Sequence, residues 1–260
     1  MHTIAARDRY ASTYAAYVIE EVERPVGAKA WEIVVAWIEE RILDGRLVRG
    51  STLPAEREFA AQLGVSRAAV REAVRTLQAN GVLRSSVGAG AAGGTMVMGQ
   101  PHVALTRMLR MHVALANFPA RDVTQVRVVL ERLSSSLASV HADHEARGRM
   151  RDALEAMDDD ALSRAEFNRY DTDFHVAIAR GAGNTLAADL TVAIRESMRQ
   201  PIMWGFDEAD GEQWAALRGQ LRSQHHAIMA AIDAKSADEA ADLVEQHIWS
   251  AYEAMPRLHL

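Results

Sequence analysis

Residues 53–83, LPAEREFAAQLGVSRAAVREAVRTLQANGVL, constrain the fold of this chain more than any other stretch. Glu56 to Leu63 has the pattern of a short helix, and Gly64 ends it. Ser66 is placed to cap a second helix, Arg67 to Asn80, by accepting a hydrogen bond from an early orphan amide. Gly81 then falls where a helix C-terminal glycine belongs. Two short helices joined by so tight a turn form a helix-turn-helix. Leu83-Arg84-Ser85-Ser86 and Thr95-Met96-Val97-Met98 can pair as a hairpin, and the seven residues between, Gly88 to Gly94, are all Gly or Ala. The hairpin makes the unit a winged helix-turn-helix.

The surrounding chain is organised around this unit. Residues 1–27 read as an N-terminal extension, which Arg24-Pro25-Val26-Gly27 closes. Ala28 to Leu43 is an amphipathic helix, with Trp31, Val34, Val35, Ile38 and Ile42 at helical spacing. The winged unit thus spans 28–98, and Gln100-Pro101 marks a boundary. From 102 to 260 the periodicity is helical throughout. Helices are expected over 102–117, 122–144, 146–160, 163–181, 184–203, 211–234 and 236–255. The fold class is therefore mainly α: a winged helix-turn-helix with a small β hairpin, followed by an all-α bundle of about seven helices. The low aromatic content, 6% of residues, agrees with helices over sheets.

The second helix of the motif carries Arg67, Arg71 and Arg75 in one row at i, i+4 spacing. Val70, Val74 and Leu77 form the apolar row beside it, and Arg57 stands at the start of the preceding helix. An arginine fork can bond guanine O6 and N7 together or clamp a phosphate. Ser66 and the helix N-terminus offer further donors to phosphate. The alternative is a solvated basic face in which Glu58 and Glu72 pair with the arginines. The capped turn, the arginine row and the glycine tip together favour double-stranded DNA. A net charge of −6 does not oppose this, because residues 28–99 hold nine Lys/Arg and seven Asp/Glu, and a polyanion needs only a local positive face.

LPAERE…LGVSRAAVREAV..L…GVL, with a glycine-rich wing ending in GGTMV, resembles the winged-helix domain of GntR-type bacterial transcription regulators. The resemblance spans roughly residues 28–98. It implies that Arg57, Ser66, Arg67, Arg71 and Gly88 occupy DNA-contacting positions, with Arg75 extending the row. The wing departs from the usual pattern, being longer and lacking a polar residue at its tip.

A second constellation interrupts the apolar faces of the bundle. In FNRYDTDFHVAI, residues 167–178, Phe167, Phe174 and Ile178 mark one face, and Asp171 and His175 share it. His225 interrupts the stripe of Leu221, Ile228 and Ile232, and His247 that of Leu243, Val244 and Ala251. A buried carboxylate needs a partner or a metal. One Asp and three His suit zinc, nickel or manganese with positions left for water or ligand. Satisfied core histidines and a simple Asp171–His175 hydrogen bond are the competing explanations, and spacing alone does not bring the helices together.

DxxxH within D.DFH, the GAGN run at Gly181–Asn184, His225 before HAI and His247 resemble the FCD-type ligand-sensing domain of FadR-like GntR regulators. The resemblance implies a divalent ion, zinc first, on Asp171, His175, His225 and His247, with His226 as the alternative to His225. It also implies a small carboxylate effector on that ion. Arg127 and Glu131 resemble the R…E signature of the domain's early long helix, whose apolar stripe is Val123, Val126, Leu130, Leu133 and Leu137. Arg127 and Ser134 lie beside this stripe and are candidate effector contacts. Arg127 and Glu131 otherwise form a surface pair, worth only tenths of a kcal/mol. Asn184 is a further effector candidate, or no more than a helix cap.

No apolar run approaches the roughly 20 residues of a membrane span, the first residues lack a signal-peptide core, and there is no cysteine. The expected setting is the cytoplasm. The expected function is a homodimeric, effector-responsive repressor reading a short palindromic operator. A metal-dependent hydrolase or lyase fused to a DNA-binding domain, and a direct metal sensor, are the alternatives. Neither HExxH nor a nucleophile elbow is present.

Overall fold

The computed structural model describes residues 28–86, 94–99 and 101–255. The N-terminal extension and the hairpin tip with Gly88 lie outside these residues. The chain divides into two compact units, residues 1–99 and 100–260.

The first unit contains α1 (Ala30–Leu43), α2 (Glu56–Leu63), α3 (Arg67–Ala79), β1 (Leu83–Ser86) and β2 (Gly94–Val97). Gly64 ends α2 in the left-handed conformation, at φ 63°, which a glycine adopts without a Cβ clash. The Ser66 hydroxyl then accepts from the Ala69 amide at 3.1 Å and starts α3. Val34, Trp37, Ile38, Leu47, Phe59, Val70, Val74 and Leu77 form the core, where Trp37 and Phe59 meet edge to face at 5.0 Å. The strands are antiparallel, with Leu83 opposite Val97 and Ser86 opposite Gly94. The turn-rich connector before α2 adds to this hairpin. The Leu53 amide donates to the Thr95 carbonyl at 2.8 Å and the Val97 amide to the Ser51 carbonyl at 2.9 Å. Gln78 on α3 donates to the Ser85 hydroxyl at 2.6 Å, which ties the helix to the wing.

The second unit is all helix: α4 (Pro101–Ala114), α5 (Ala120–His141), α6 (His144–Met157), α7 (Arg164–Gly181), α8 (Thr185–Glu208), α9 (Gly211–Asp233) and α10 (Ala237–Glu253). Side-chain caps open four of them, from Asp143, Ser163, Asn184 and Asp210. The core runs through Met150, Phe167, Phe174, Ile178, Met198, Ile228, Ile232, Val244 and Ile248.

Two expectations are corrected. α8 does not stop at 203 but continues past Pro201 to Glu208. Tertiary packing overrides the glycine break: Phe206 is buried and rests on Trp214 at 4.9 Å between ring centroids. Gly205 lies so close to Met255 that an added Cβ would stand 2.8 Å from its Cγ. Arg164 closes the helix end by donating to the carbonyls of Phe206 (2.6 Å) and Ala209 (2.7 Å). The second correction concerns α5. Its expected stripe is split, for Val126 and Leu133 are exposed at 53% and 44%, and the neighbouring Val129 and Val140 are exposed too. The buried face instead holds Val123, Arg127, Val128, Glu131, Ser134, Ser135 and Ala138. The inward face of α5 is thus largely polar, which calls for polar partners inside the bundle.

Candidate metal centre and DNA-binding helix

Partners for Glu131 come from His175 on α7 and Arg195 on α8, and α9 and α10 add histidines beside them. On α7, Asp171 and His175 lie one turn apart and both are buried. His225 on α9 and His247 on α10 are 0% and 1% exposed. One ligand atom from each of Asp171, His175, His225 and His247 can be chosen so that all four lie within 4.8 Å of one another. His175 Nε2 is 3.3 Å from His225 Nε2 and 3.2 Å from His247 Nε2. Asp171 Oδ1 is 3.0 Å from His225 Nε2 and 3.9 Å from the Nε2 atoms of His175 and His247. His226, the alternative to His225, is half exposed and pairs with Asp158 at 3.1 Å.

The outer nitrogens decide which tautomers the rings adopt. His175 Nδ1 lies 2.7 Å from a Glu131 carboxylate oxygen, so it carries a proton and donates. His247 Nδ1 lies 3.0 Å from Gln224 Oε1, a carbonyl-type acceptor, so it also donates. A neutral imidazole protonated at Nδ1 has a lone pair at Nε2. The two Nε2 atoms 3.2 Å apart are then both acceptors and cannot bond each other. Two lone pairs held this close, beside the Asp171 carboxylate, are a donor set for a cation. The spacings of 3.0–3.9 Å suit the edges of a coordination shell with bonds of about 2.0–2.2 Å.

Arg195 on α8 binds the set together. Its Nε and Nη2 donate to the two Glu131 oxygens at 2.9 and 2.7 Å, and its Nη1 donates to Asp171 Oδ2 at 2.9 Å. Arg127 donates from Nε to Glu131 at 2.7 Å. Burial acts to raise the Glu131 and Asp171 carboxyls, but the Arg195 guanidinium leads the opposing charges and both end well below the usual range. Burial, with Arg195 beside it, pushes the His175 imidazole down to about 4. Burial and the neighbouring histidines also hold His247 well below its ordinary value. Ionised carboxylates and neutral imidazoles are the forms that ligate metals.

The remaining effector candidates separate. Arg127 and Ser134 are on the buried face of α5, and the Ser134 hydroxyl has no partner among the described residues. Asn184 is exposed and accepts from the Ala187 amide at 3.1 Å, so its placement is that of a cap. Sequence reasoning missed Arg195 and Gln224. Arg195 continues the row of Ala188, Thr191 and Met198, all buried, and that spacing was its one available signal. The sequence marks Glu131 only beside Arg127, in the R…E signature or as its partner, and gives no sign of its bonds to His175 and Arg195.

On the first unit, Arg57, Ser66, Arg67, Arg71 and Arg75 are all exposed. Val70, Val74 and Leu77 are buried beneath the α3 row. Glu58 bonds Gln62 at 3.4 Å rather than an arginine, and no acidic side chain among the described residues pairs with this row.

A winged helix-turn-helix with an exposed arginine row, joined to a helical unit with a buried polar centre, defines the class of DNA-binding transcription regulators. Comparison with known proteins gives the family. Residues 32–92 match the model for bacterial regulatory proteins of the gntR family, and residues 122–249 match the FCD domain. The chain belongs to the GntR family, in the branch that carries an FCD domain, and it is not an enzyme. It is 28% identical over 231 residues to the putative L-lactate dehydrogenase operon regulatory protein of Escherichia coli K12, covering 86% of this chain and 84% of that one. It is 27% identical over 230 residues to the transcriptional repressor NanR of the same strain, with the same coverage. A GntR structure from Streptococcus agalactiae shares the fold, with a TM-score of 0.60 and 22% identity over 86% of this chain and 99% of that one. Regulators of this family bind DNA operators and are typically dimeric. No described helix is long and apolar enough to cross a membrane.

Proposed function

We propose that the chain is a homodimeric, cytoplasmic repressor whose C-terminal unit binds a divalent metal ion and a small organic acid. In this reading, residues 28–98 read DNA and residues 102–260 sense the effector and pair the protomers. Asp171, His175, His225 and His247 hold the ion, zinc before nickel or manganese given imidazole and carboxylate donors. The ion supplies a Lewis-acidic centre with open positions for a carboxylate. Glu131 and Gln224 fix the tautomers of His175 and His247, and Arg195 orients Asp171 and Glu131. Arg127 and Ser134 line the effector side.

The observation that carries this reading is the pair of Nε2 lone pairs 3.2 Å apart, each fixed by an acceptor on the opposite ring nitrogen. The exposed apolar side chains of α5, Val126, Val129, Leu133 and Val140, support a dimer. Two α3 helices would then read the half-sites of a short palindrome. An effector that binds one arrangement of the dimer better than another shifts its affinity for the operator.

Elemental mass spectrometry of the purified, untagged chain tests the centre. About one divalent ion per chain, lost in an Asp171→Ala/His175→Ala double variant, is expected, and no ion after loading refutes it. Release of operator by metal alone, with no organic ligand, would replace the effector reading with direct metal sensing. For DNA, Arg71→Ala is expected to weaken operator binding and relax base preference by about 1–3 kcal/mol. A loss equal on all sequences, with a shallower salt dependence, would make Arg71 a phosphate contact.

A further inference from the structure

The charges packed around the histidines cancel. Arg127 and Arg195 supply two positive charges, Glu131 and Asp171 two negative ones, and none of the four residues is more than 9% exposed. Imidazoles that ligate a metal do so as neutral groups. A divalent ion added to this set brings two positive charges with no counterion among the described residues. Buried net charge is costly unless it is matched, so whatever completes the site must bring negative charge with it.

The two guanidinium groups are not equivalent. Arg195 uses Nε, Nη1 and Nη2 on Glu131 and Asp171. Arg127 bonds Glu131 through Nε alone, and its Nη1 and Nη2 donate to nothing among the described residues. These two atoms form the end of the fork that grips a carboxylate bidentately. Glu131 links Arg127 to the ligand cluster: its Oε1 accepts from Arg127 Nε at 2.7 Å and its Oε2 lies 2.7 Å from His175 Nδ1.

From the charge count and this free fork we propose that the effector is a small dicarboxylate, with one carboxylate on the ion and the other on the Arg127 Nη1/Nη2 pair. The proposal rests on the effector reading above and specifies its ligand. A monocarboxylate would leave one positive charge unmatched and the Arg127 fork unused.

Calorimetry on the full-length, zinc-loaded protein tests this with malonate, succinate and glutarate, each beside its monoamide. The amide keeps the size of the acid and removes one charge. The best diacid is expected to bind at least tenfold more tightly than its monoamide. Arg127→Gln is expected to erase that ratio. Equal binding of acid and amide by the wild-type protein overturns the dicarboxylate proposal and leaves a carboxylate effector standing. Binding of none of the six by zinc-loaded protein overturns the effector reading itself. The wild-type comparison decides the matter even where Arg127→Gln folds poorly.

Discussion

Arg195 is the side chain on which the buried centre depends most, and Arg195→Met measures that dependence. The substitution keeps most of the volume and apolar length of the side chain while removing its charge. Three hydrogen bonds disappear, two to Glu131 at 2.9 and 2.7 Å and one to Asp171 at 2.9 Å. Two buried carboxylates then share Arg127 as their one remaining buried arginine partner, and Asp171 has no direct bond to it. Removing one partner of a buried pair costs about 3–5 kcal/mol, most of it the penalty of an unmatched charge. For a unit of this size each kcal/mol moves the melting temperature by about 2–4 °C, so a drop of about 6–20 °C is expected for the C-terminal transition. The assay is differential scanning calorimetry of the full chain at neutral pH in the presence of a chelator. A double-variant cycle with Glu131→Gln sharpens it. Once Glu131 is neutral, loss of Arg195 should cost less, with a coupling of about 0.5–3 kcal/mol. A melting temperature within 2 °C of wild type, or strictly additive losses, would refute the view that Arg195 compensates these carboxylates.

Other outcomes follow from the same structure. Ser66→Ala removes the cap on the Ala69 amide and is expected to lower the stability of the N-terminal unit by about 1 kcal/mol, measured by denaturant titration of the full chain followed through Trp31 and Trp37. Gly205→Ala places a Cβ 2.8 Å from Met255 Cγ; overpacking of this kind costs about 1–3 kcal/mol, and an unchanged melting curve would show that the C-terminal segment yields freely. The metal-free protein should lose stability as the pH falls from about 6.5 toward 4. His175 titrates at about 4 when folded and near 6.5 when unfolded, so in that window the unfolded chain binds the extra proton and is favoured. Asp171 and Glu131, both depressed, add their own loss below about pH 4. Calorimetric scans at stepped pH check this, and a melting temperature that rises on acidification would reverse the assigned directions.

The motif around α3 was legible because its signals are local. A capping serine, a left-handed glycine and a 3.6-residue period require no knowledge of distant residues, and they located α2 and α3 to within a residue. Asp171, His175, His225 and His247 were legible as polar interruptions of apolar stripes. That their helices converge was not, since convergence depends on packing between elements far apart in sequence. Periodicity identifies an apolar stripe but not what covers it, so in α5 it groups Val126 and Leu133 with Val123, Leu130 and Leu137. The structure turns Val126 and Leu133 outward and Arg127, Glu131 and Ser134 inward. Arg195 went unread because an arginine in a long helix resembles a solvated one until its partners on α5 and α7 are known. The end of α8 was misplaced for a related reason, as Gly205 serves a close approach to Met255 rather than a break.

α4 has no buried residue at all, although it exposes Val103, Met108 and Met111 and touches the core through Leu109 and Val113. A helix with so little buried area of its own opens at a small free-energy cost relative to global unfolding. Its amides are therefore expected to exchange with deuterium well before those of α7 or α10, as a foldon that can melt while the rest of the bundle persists. Because α4 begins just after the boundary at Gly99, the helix that follows the DNA-reading unit in the chain is also one that can be ordered or released without disturbing the buried core of the bundle.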